Sequence, residues 1–256
     1  MTLAPSSEPF FADAVPDPRD GQRVGVLLVQ GFTGSPASMT PWGRFLAEQG
    51  LGVAVPRLPG HGTTWQQLNR TRWPDWYGEV ERAFEKLRAN NDQVVVGGLS
   101  MGGALVLQLA ADRGREVAGV IVVNPAVSTE RKDVLALPVL KHLVPSFPGI
   151  ANDIKKPGVE EHGYTRTPLM AAHSMMQAWK PLRADLPKIT QPLLMFRSAE
   201  DHVVQASSPA LVRATVSSRD LTDRILENSY HVATLDNDAQ TIFEESAEFV
   251  RRVTGP

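Results

Sequence analysis

The sequence predicts an α/β fold in which a mostly parallel central sheet is flanked by helices. Two observations support this prediction. Short apolar runs that are typical of buried strands alternate along the chain with longer stretches of helical periodicity. A chain of 256 residues, of which 42% are hydrophobic, can also bury one sizeable core, so a single domain accounts for its length.

The strands are predicted from apolar runs bounded by turn residues. The valines at positions 94 to 96 form the clearest run, because β-branched side chains favour extended backbone. The predicted strands lie near residues 24–30, 51–55, 93–98, 117–123, 192–197 and 221–226. Helices are expected between them, as a parallel sheet requires.

The helices are predicted from the spacing of apolar residues and from start signals. They lie near residues 38–49, from about residue 74, after Thr167–Pro168 and from about Asp238. The second helix has apolar residues spaced four, four and three positions apart, an amphipathic stripe that we expect to pack on the core. These residues are Trp76, Val80, Phe84 and Leu87.

The segment 127–186 breaks the alternation of strands and helices, because it contains six prolines and no clear β pattern. We expect it to form a small cap inserted before the strand near residues 192–197, which precedes the candidate catalytic acid. The core of the fold is then formed by residues 21–126 and 187–256, and residues 1–20 are expected to be an N-terminal tail.

A serine on a glycine-rich turn is the strongest functional signal in the chain. Ser100 stands in the stretch Gly98–Gly102, directly after the valine strand and before an apolar helix. This G-x-S-x-G pattern between a strand and a helix is that of a nucleophile elbow, in which the glycines permit a sharp turn that exposes the hydroxyl. A serine that merely caps the helix is the alternative interpretation.

A nucleophilic serine needs a base and a carboxylate, which follow it in the order Ser, Asp or Glu, His in the α/β-hydrolase fold. Asp201 lies in the loop after one predicted strand and His231 in the loop after the next, so both follow Ser100 in that order. Glu200 is the alternative acid. Because adjacent side chains of an extended loop point in opposite directions, only one of the two can face the histidine, and we favour Asp201.

The other histidines are expected to have supporting or surface roles. His202 follows the acid directly and is interpreted as a loop residue, and His61 precedes the serine and is expected to shape a turn. None of His142, His162 and His173 has a partner at metal-ligand spacing. We therefore expect neither a metal nor a cofactor.

Acyl transfer by a serine also needs N–H donors for the oxyanion of the tetrahedral intermediate. The backbone N–H of Met101, directly after the serine, is one candidate. The other is the N–H of Phe32, in the loop after the first predicted strand. The ring of Phe32 is then expected beside the substrate pocket, unless it only packs on the core.

Five blocks of sequence together resemble the bacterial monoacylglycerol lipases and the similar bacterial carboxylesterases, which are α/β-hydrolases. They are residues 31–36, 56–63, 98–103, 200–204 and 228–236. The resemblance extends from about residue 20 to residue 253. It implies a catalytic triad of Ser100, Asp201 and His231, and an oxyanion hole formed by the N–H groups of Phe32 and Met101, in agreement with the argument from the residues themselves.

The resemblance also implies substrate-binding residues in and near the cap. Glu161 corresponds to a cap glutamate that binds the free hydroxyls of glycerol, and Ile150 to an aliphatic residue of the alcohol pocket. Asn124 corresponds to a polar residue at the end of a core strand near that pocket. Gln30 stands where the family usually has histidine; since glutamine also donates and accepts hydrogen bonds, we expect altered support of the oxyanion loop without loss of chemistry.

These observations predict a serine ester hydrolase that acts on monoacylglycerols and other short- or medium-chain esters through an acyl-enzyme. The alternatives are a carboxylesterase without glycerol preference, a carbon–carbon bond hydrolase, and a non-catalytic ligand receptor. The expected partner is a small lipid ester. A formal charge of −2 argues against nucleic acid, and the chain has no apolar run long enough for an integral membrane segment. Because residues 1–20 lack the pattern of a signal peptide, we expect a cytoplasmic location; whether two copies form a homodimer is left open.

Overall fold

The main sheet has seven strands, and neighbouring strands are parallel except for one antiparallel pair at an edge. The computed structural model describes residues 7–255. The strands of this sheet are β1 (Phe10–Ala12), β2 (Val24–Val29), β3 (Gly52–Val55), β4 (Gln93–Leu99), β5 (Gly119–Val123), β8 (Leu193–Ser198) and β9 (Leu221–Leu226). They lie in the order β1-β3-β2-β4-β5-β8-β9, and β1 and β3 form the antiparallel pair. The sequence therefore predicted the parallel strands to within about two residues at their ends.

Helices cover both faces of the sheet. They are α1 (Thr40–Glu48), α2 (Trp65–Leu68), α3 (Trp73–Arg88), α4 (Met101–Arg113), α5 (Leu137–Leu143), α6 (Leu169–Asp185), α7 (Ser207–Thr215) and α8 (Ala239–Thr254). One face packs against α1 and α8, and the other against α3 and α4, on which α6 packs in turn. Across residues 7–255, no helix combines the length and the apolar character needed to cross a bilayer.

The amphipathic stripe predicted for α3 is buried, as expected. Trp76, Val80 and Phe84 are fully buried, and Leu87 is 7% exposed. Trp76 also has its polar atom satisfied, because its indole N–H donates to Pro59 O at 3.1 Å. The stripe therefore joins α3 to the sheet and to the turn that follows β3.

The tail expected over residues 1–20 contains a strand. Phe10–Ala12 pairs antiparallel with β3, with Phe10 opposite Val55, and so covers the edge of the sheet. Phe10 packs into the core, whereas Phe11 faces outward with Lys86 Nζ 4.8 Å from its ring centre. Three residues are too short for an alternating pattern to stand out in the sequence, and an exposed edge is stabilised by such a cover.

Between β5 and β8 the chain forms an insert with α5, α6 and two short strands, β6 (Ser146–Pro148) and β7 (Arg166–Pro168). The strands β6 and β7 pair antiparallel in a separate sheet. The sequence showed no β pattern here, since each strand has three residues and contains or adjoins proline. Arg166 stabilises the pair by donating to Ser146 Oγ at 2.7 Å.

The approach of α4 to the sheet is too close for a side chain. A Cβ built on Gly102 would lie 2.0 Å from Val29 O, and one built on Gly98 would lie 2.3 Å from the Gly102 carbonyl carbon. Both contacts are with backbone, which cannot move away as a side chain can. The two glycines of the elbow are therefore required by packing.

We expect Gly102→Ala to destabilise the protein by at least about 3 kcal/mol, because the added methyl group overpacks a site enclosed by backbone. Gly78→Ala is the matched control: Gly78 lies within α3, where a Cβ would have no heavy atom within 4 Å. It should stabilise the protein by about 0.5 to 1 kcal/mol, since alanine is the better helix former. Urea denaturation of both variants measures this. Equal stability of Gly102→Ala and the wild type would contradict the packing argument.

Candidate active site

Ser100 lies between the end of β4 and the start of α4, with an unusual backbone conformation of φ 56° and ψ −116°. A positive φ is uncommon outside glycine and costs free energy, so surrounding contacts must hold it. The Ser100 N–H donates to Val123 O at 2.9 Å, and its carbonyl accepts from Ala126 N at 3.1 Å. These bonds to the end of β5 keep the turn in place.

The loop after β2 lies directly beside Ser100. A Cβ built on Gly31 would lie 3.9 Å from Ser100 Oγ, so glycine leaves open the space in front of the hydroxyl. Within residues 7–255, the backbone N–H groups of Phe32 and Met101 donate to no acceptor. Two free N–H donors on either side of a serine are what an oxyanion requires.

Asp201 and His231 are hydrogen-bonded to each other, with Asp201 Oδ2 2.8 Å from His231 Nδ1. Asp201 Oδ1 accepts from the N–H groups of Val203 and Val204, each at 2.8 Å, so the whole carboxylate is fixed. The Nδ1–H of His231 therefore points at Asp201, which leaves Nε2 as the basic nitrogen. Both side chains are at least nine-tenths buried.

The charges in this pair shift both pKa values. Burial by itself would lower the pKa of His231, but the charge and hydrogen bond of Asp201 outweigh it and raise that pKa above its usual value. Burial would likewise raise the pKa of Asp201, whereas His231 and the two backbone N–H donors lower it. The arrangement thus favours an ionised aspartate that stabilises a protonated imidazole.

Glu200, the alternative acid, points away from His231. Its side chain is 57% exposed, and its Oε1 lies 3.2 Å from His202 Nε2. His202 is also half exposed, and its Nδ1 lies 2.7 Å from Asp153 Oδ1. The alternation expected along this loop therefore distinguishes the two acids.

Asn124 does not line the cavity, in contrast to the prediction. Its side-chain nitrogen donates to His231 O at 2.9 Å and to Ser198 Oγ at 3.0 Å, and its oxygen accepts from Ser198 N at 2.8 Å. Both of its amide hydrogens are used and the residue is buried, so none is left for a ligand. Asn124 instead joins the ends of β5 and β8 to the histidine loop.

Ser100, Phe32, His231 and Glu161 line one cavity of about 720 Å³. Part of its wall is apolar and comes from the insert: Leu137, Leu140, Leu169, Met175, Met176 and Trp179. Four of these side chains, Leu169, Met175, Met176 and Trp179, belong to α6. Met170 is not among the lining residues; its backbone N–H donates to Asn69 Oδ1, directly after α2, at 3.0 Å.

Glu161 extends a carboxylate into this cavity. It is 8% exposed, and its oxygens accept no hydrogen bond from any residue of the described chain. Burial raises the pKa of Glu161 to about 7, although the charge of His231 opposes the shift. The same carboxylate accounts for the absence of a side chain at Gly34, because a Cβ there would lie 2.5 Å from Glu161 Oε1.

Ile150 lines the same cavity at its outer edge, where it is 53% exposed. Phe147 is beside it in the lining and is 43% exposed. The mouth of the cavity is therefore bordered by hydrophobic side chains.

Two residues hold the loop after β2: Tyr164, which the sequence did not indicate for this role, and Gln30, for which support of this loop was expected. Tyr164 of the insert donates its N–H to Thr33 O at 3.1 Å and its hydroxyl to Gly60 O at 2.9 Å. Gln30 is buried, and with its amide nitrogen toward Pro56 O (2.9 Å) it bridges this loop to the segment after β3. The partners of Tyr164 are about a hundred positions away in sequence, so no local pattern indicates them.

No group of three or more histidines, cysteines, aspartates or glutamates within residues 7–255 is arranged to hold a metal ion. The chemistry that the described side chains offer is that of a serine, an imidazole and carboxylates around one largely apolar cavity.

Comparison with known proteins gives relatives along nearly the whole chain. The family model described as "Serine aminopeptidase, S33" matches residues 21–238. The thermostable monoacylglycerol lipase of Bacillus sp. (strain H-257) is 37% identical over 253 residues, which are 97% of this chain and 96% of the relative. The carboxylesterase of Bacillus subtilis (strain 168) is 25% identical over 231 residues, 89% of this chain and 92% of the relative.

Solved structures agree with these relatives. A structure from work on LipS and LipT, two metagenome-derived lipolytic enzymes, matches with a TM-score of 0.92 at 37% identity and covers 98% of this chain and 100% of that one. A soluble variant of monoglyceride lipase from Saccharomyces cerevisiae matches with a TM-score of 0.79 at 17% identity, over 97% and 92% of the two chains. The predicted α/β-hydrolase fold is confirmed.

The buried carboxylate of Glu161 should make stability depend on pH. Because its pKa is raised from 4.5 to about 7 in the folded protein, the folded state binds more protons, and stability falls as pH rises through this interval. Glu161→Gln should therefore be more stable than the wild type above pH 7, by up to about 3 kcal/mol, with the gain vanishing near pH 4.5. Urea denaturation at several pH values measures the difference.

Glu160→Gln is the control for this measurement, since the Glu160 side chain is 67% exposed. It should show no such pH-dependent gain. A stability difference of Glu161→Gln that is the same at every pH would contradict the assigned cause.

Proposed function

The chain belongs to the family described as serine aminopeptidase, S33, and we propose that it is a serine ester hydrolase that cleaves monoacylglycerols and other short- or medium-chain esters. The observation that carries this proposal is the Asp201–His231 hydrogen bond at the edge of an apolar cavity that Ser100 also lines. The relatives support it, since one is named a monoacylglycerol lipase and another a carboxylesterase.

In the proposed mechanism, Ser100 Oγ attacks the ester carbonyl while His231 Nε2 takes its proton. Asp201 keeps the histidine in the required tautomer and stabilises the imidazolium. The N–H groups of Phe32 and Met101 stabilise the oxyanion. His231 then protonates the leaving alcohol, and a water activated by the same imidazole hydrolyses the acyl-enzyme to release the fatty acid.

The shape and chemistry of the cavity support a lipid ester as substrate. The apolar wall formed by α5 and α6 can bury an acyl chain, at roughly 0.8 kcal/mol for each CH₂ group. The methionines Met175 and Met176 within it are flexible and can adapt to chains of different length. Because Phe147 and Ile150 continue this apolar lining to the mouth of the cavity, the acyl chain of the substrate can enter without crossing a polar surface.

Glu161 supports glycerol as the alcohol. An alcohol with free hydroxyls would supply the donors that the buried carboxylate does not receive from the protein. Hydrogen bonds from these hydroxyls would stabilise the ionised carboxylate, so binding of the alcohol would lower the pKa of Glu161 toward its usual value. An alkyl alcohol offers no such donor, and a general carboxylesterase would have no use for this interaction.

The roles in the triad predict distinct effects for the two adjacent acids. Asp201→Asn should lower kcat by roughly 10⁴, because the amide favours the wrong tautomer of His231. Glu200→Gln is the matched control at the neighbouring position and should retain kcat within about threefold. Both are measured on a p-nitrophenyl ester, with Ser100→Ala as the baseline that retains almost no hydrolysis. The opposite ranking of the two acids would show that the acid is misassigned.

The preference for glycerol esters is tested at Glu161. Loss of a charged acceptor costs about 1.5 to 3 kcal/mol per bond, so Glu161→Ala should lower kcat/KM for a monoacylglycerol by about ten- to a hundredfold. The p-nitrophenyl ester of the same acid carries no free hydroxyl and should be affected little. Glu160→Gln is again the control.

The outcome separates the candidate functions. Equal effects of Glu161→Ala on both esters, or none on either, would favour a carboxylesterase without glycerol preference. Because the family model carries the name of a peptidase, the panel also includes an aminoacyl p-nitroanilide. Faster cleavage of that anilide than of either ester would overturn the proposal of an ester hydrolase.

A further inference from the structure

Asp153 is a nearly buried carboxylate that the mechanism above does not use. It lies on the insert, between β6 and β7, and its side chain is 9% exposed. It lines the same cavity as Ser100 and His231. A carboxylate is costly to bury unless it is paired or hydrogen-bonded, so its contacts show what it stabilises.

The hydrogen bonds of Asp153 within residues 7–255 join it to the two loops that carry the acid and the base. Its Oδ2 accepts from the N–H groups of His231 and His202, each at 3.2 Å. Its Oδ1 lies 2.7 Å from His202 Nδ1, and its backbone carbonyl accepts from Val232 N at 3.1 Å. One residue of the insert thus bonds the backbone at 202, 231 and 232.

We propose that Asp153 is a positioning residue for the reaction: it fixes the backbone of His231 relative to the acid loop, so that the imidazole meets both Asp201 and Ser100. Asp201 orients the ring only from its Nδ1 side. The place of the ring also depends on the backbone from which it extends, and a misplacement of 1 Å can cost roughly 10²-fold in rate.

A second carboxylate strengthens the same junction from the opposite side. Asp236 follows the histidine loop, is 2% exposed and accepts from the N–H groups of Lys155 and Lys156 at 2.7 and 2.9 Å. It also accepts from Tyr230 N at 2.9 Å. The insert therefore gives a carboxylate to the histidine loop and receives one from it, which makes the relative position of the two segments specific.

The charge of Asp153 also faces His231. Burial by itself would lower the pKa of this imidazole; Asp201 is the main group that raises it, and Glu161 and Asp153 add to the effect. Asp153 also faces His202. The His202 ring in turn contacts Glu200 and the ring of Tyr230. Lys155 Nζ lies 5.5 Å from the centre of the Tyr230 ring. Removing the negative charge of Asp153 should therefore lower the pKa of His231.

Two substitutions separate position from charge. Asp153→Ala removes every side-chain acceptor, and we expect kcat for a p-nitrophenyl ester to fall by about ten- to a hundredfold with KM changed less than about threefold. Asp153→Asn retains an oxygen that can accept from His231 N, so its kcat should fall by less than about fivefold. Its loss of charge should move the acidic limb of the kcat/KM profile to lower pH by about 0.5.

Asp185→Asn is the matched control, because Asp185 carries the same charge at the end of α6 and pairs with Lys188 on the surface. It should leave kcat and the pH profile unchanged. Urea denaturation of each variant shows whether it is folded under assay conditions. If Asp153→Ala does not fold, Asp153→Glu takes its place: it keeps the charge but displaces the acceptor oxygens by one methylene group, so kcat should still fall by at least about tenfold.

The inference rests on the proposed function, and the two can fail separately. A wild-type protein without hydrolysis that depends on Ser100 would overturn the proposed function. Wild-type activity together with an unchanged kcat in folded Asp153→Ala would overturn the role of Asp153 alone. So would an Asp153→Asn variant whose kcat falls as far as that of Asp153→Ala, because the retained acceptor for His231 N would then have no effect.

Discussion

The close approach of α4 to the sheet is the constraint on which the site depends. Helix α4 starts directly at Ser100, and its first turn lies against the ends of β2 and β4, where Gly98 and Gly102 leave no room for a Cβ. The strained backbone of Ser100 follows from this contact, since the chain must turn sharply between strand and helix. The same contact brings the loop after β2 within reach of the serine, and with it the free N–H group of Phe32.

The remaining parts of the site come from segments that are distant in sequence and are joined by polar side chains. Asn124 connects the ends of β5 and β8 to the histidine loop, and Tyr164 connects the insert to the loop after β2. Asp153 and Asp236 connect the insert to the histidine loop in both directions. The insert therefore does more than cover the cavity, because its backbone is bonded to the loops that carry out the chemistry.

The sequence predicted what local patterns determine. Periodicity located the parallel strands and α3, and the elbow motif, together with the order of acid and base, located Ser100, Asp201 and His231 in one region. Residues whose role is set by distant partners were missed or misassigned. The resemblance implied a place near the alcohol pocket for Asn124, but its amide is hydrogen-bonded to Ser198 and His231, and only the packed structure shows this. The strand β1 was missed because three residues carry too little pattern.

The carboxylates around His231 differ in what satisfies them, and this difference links the fold to specificity. Asp201 receives two backbone N–H groups and an imidazole, and Asp153 receives two backbone N–H groups and His202. Glu161 receives none from residues 7–255, and burial raises its pKa to about 7. The first two can therefore stay fixed while the imidazole becomes charged. The third has free acceptor capacity in a desolvated cavity, where each hydrogen bond from a ligand is stronger than in water. Under the proposed function, a substrate that brings hydroxyl groups would gain that energy, whereas one without them would bury the carboxylate unpaired.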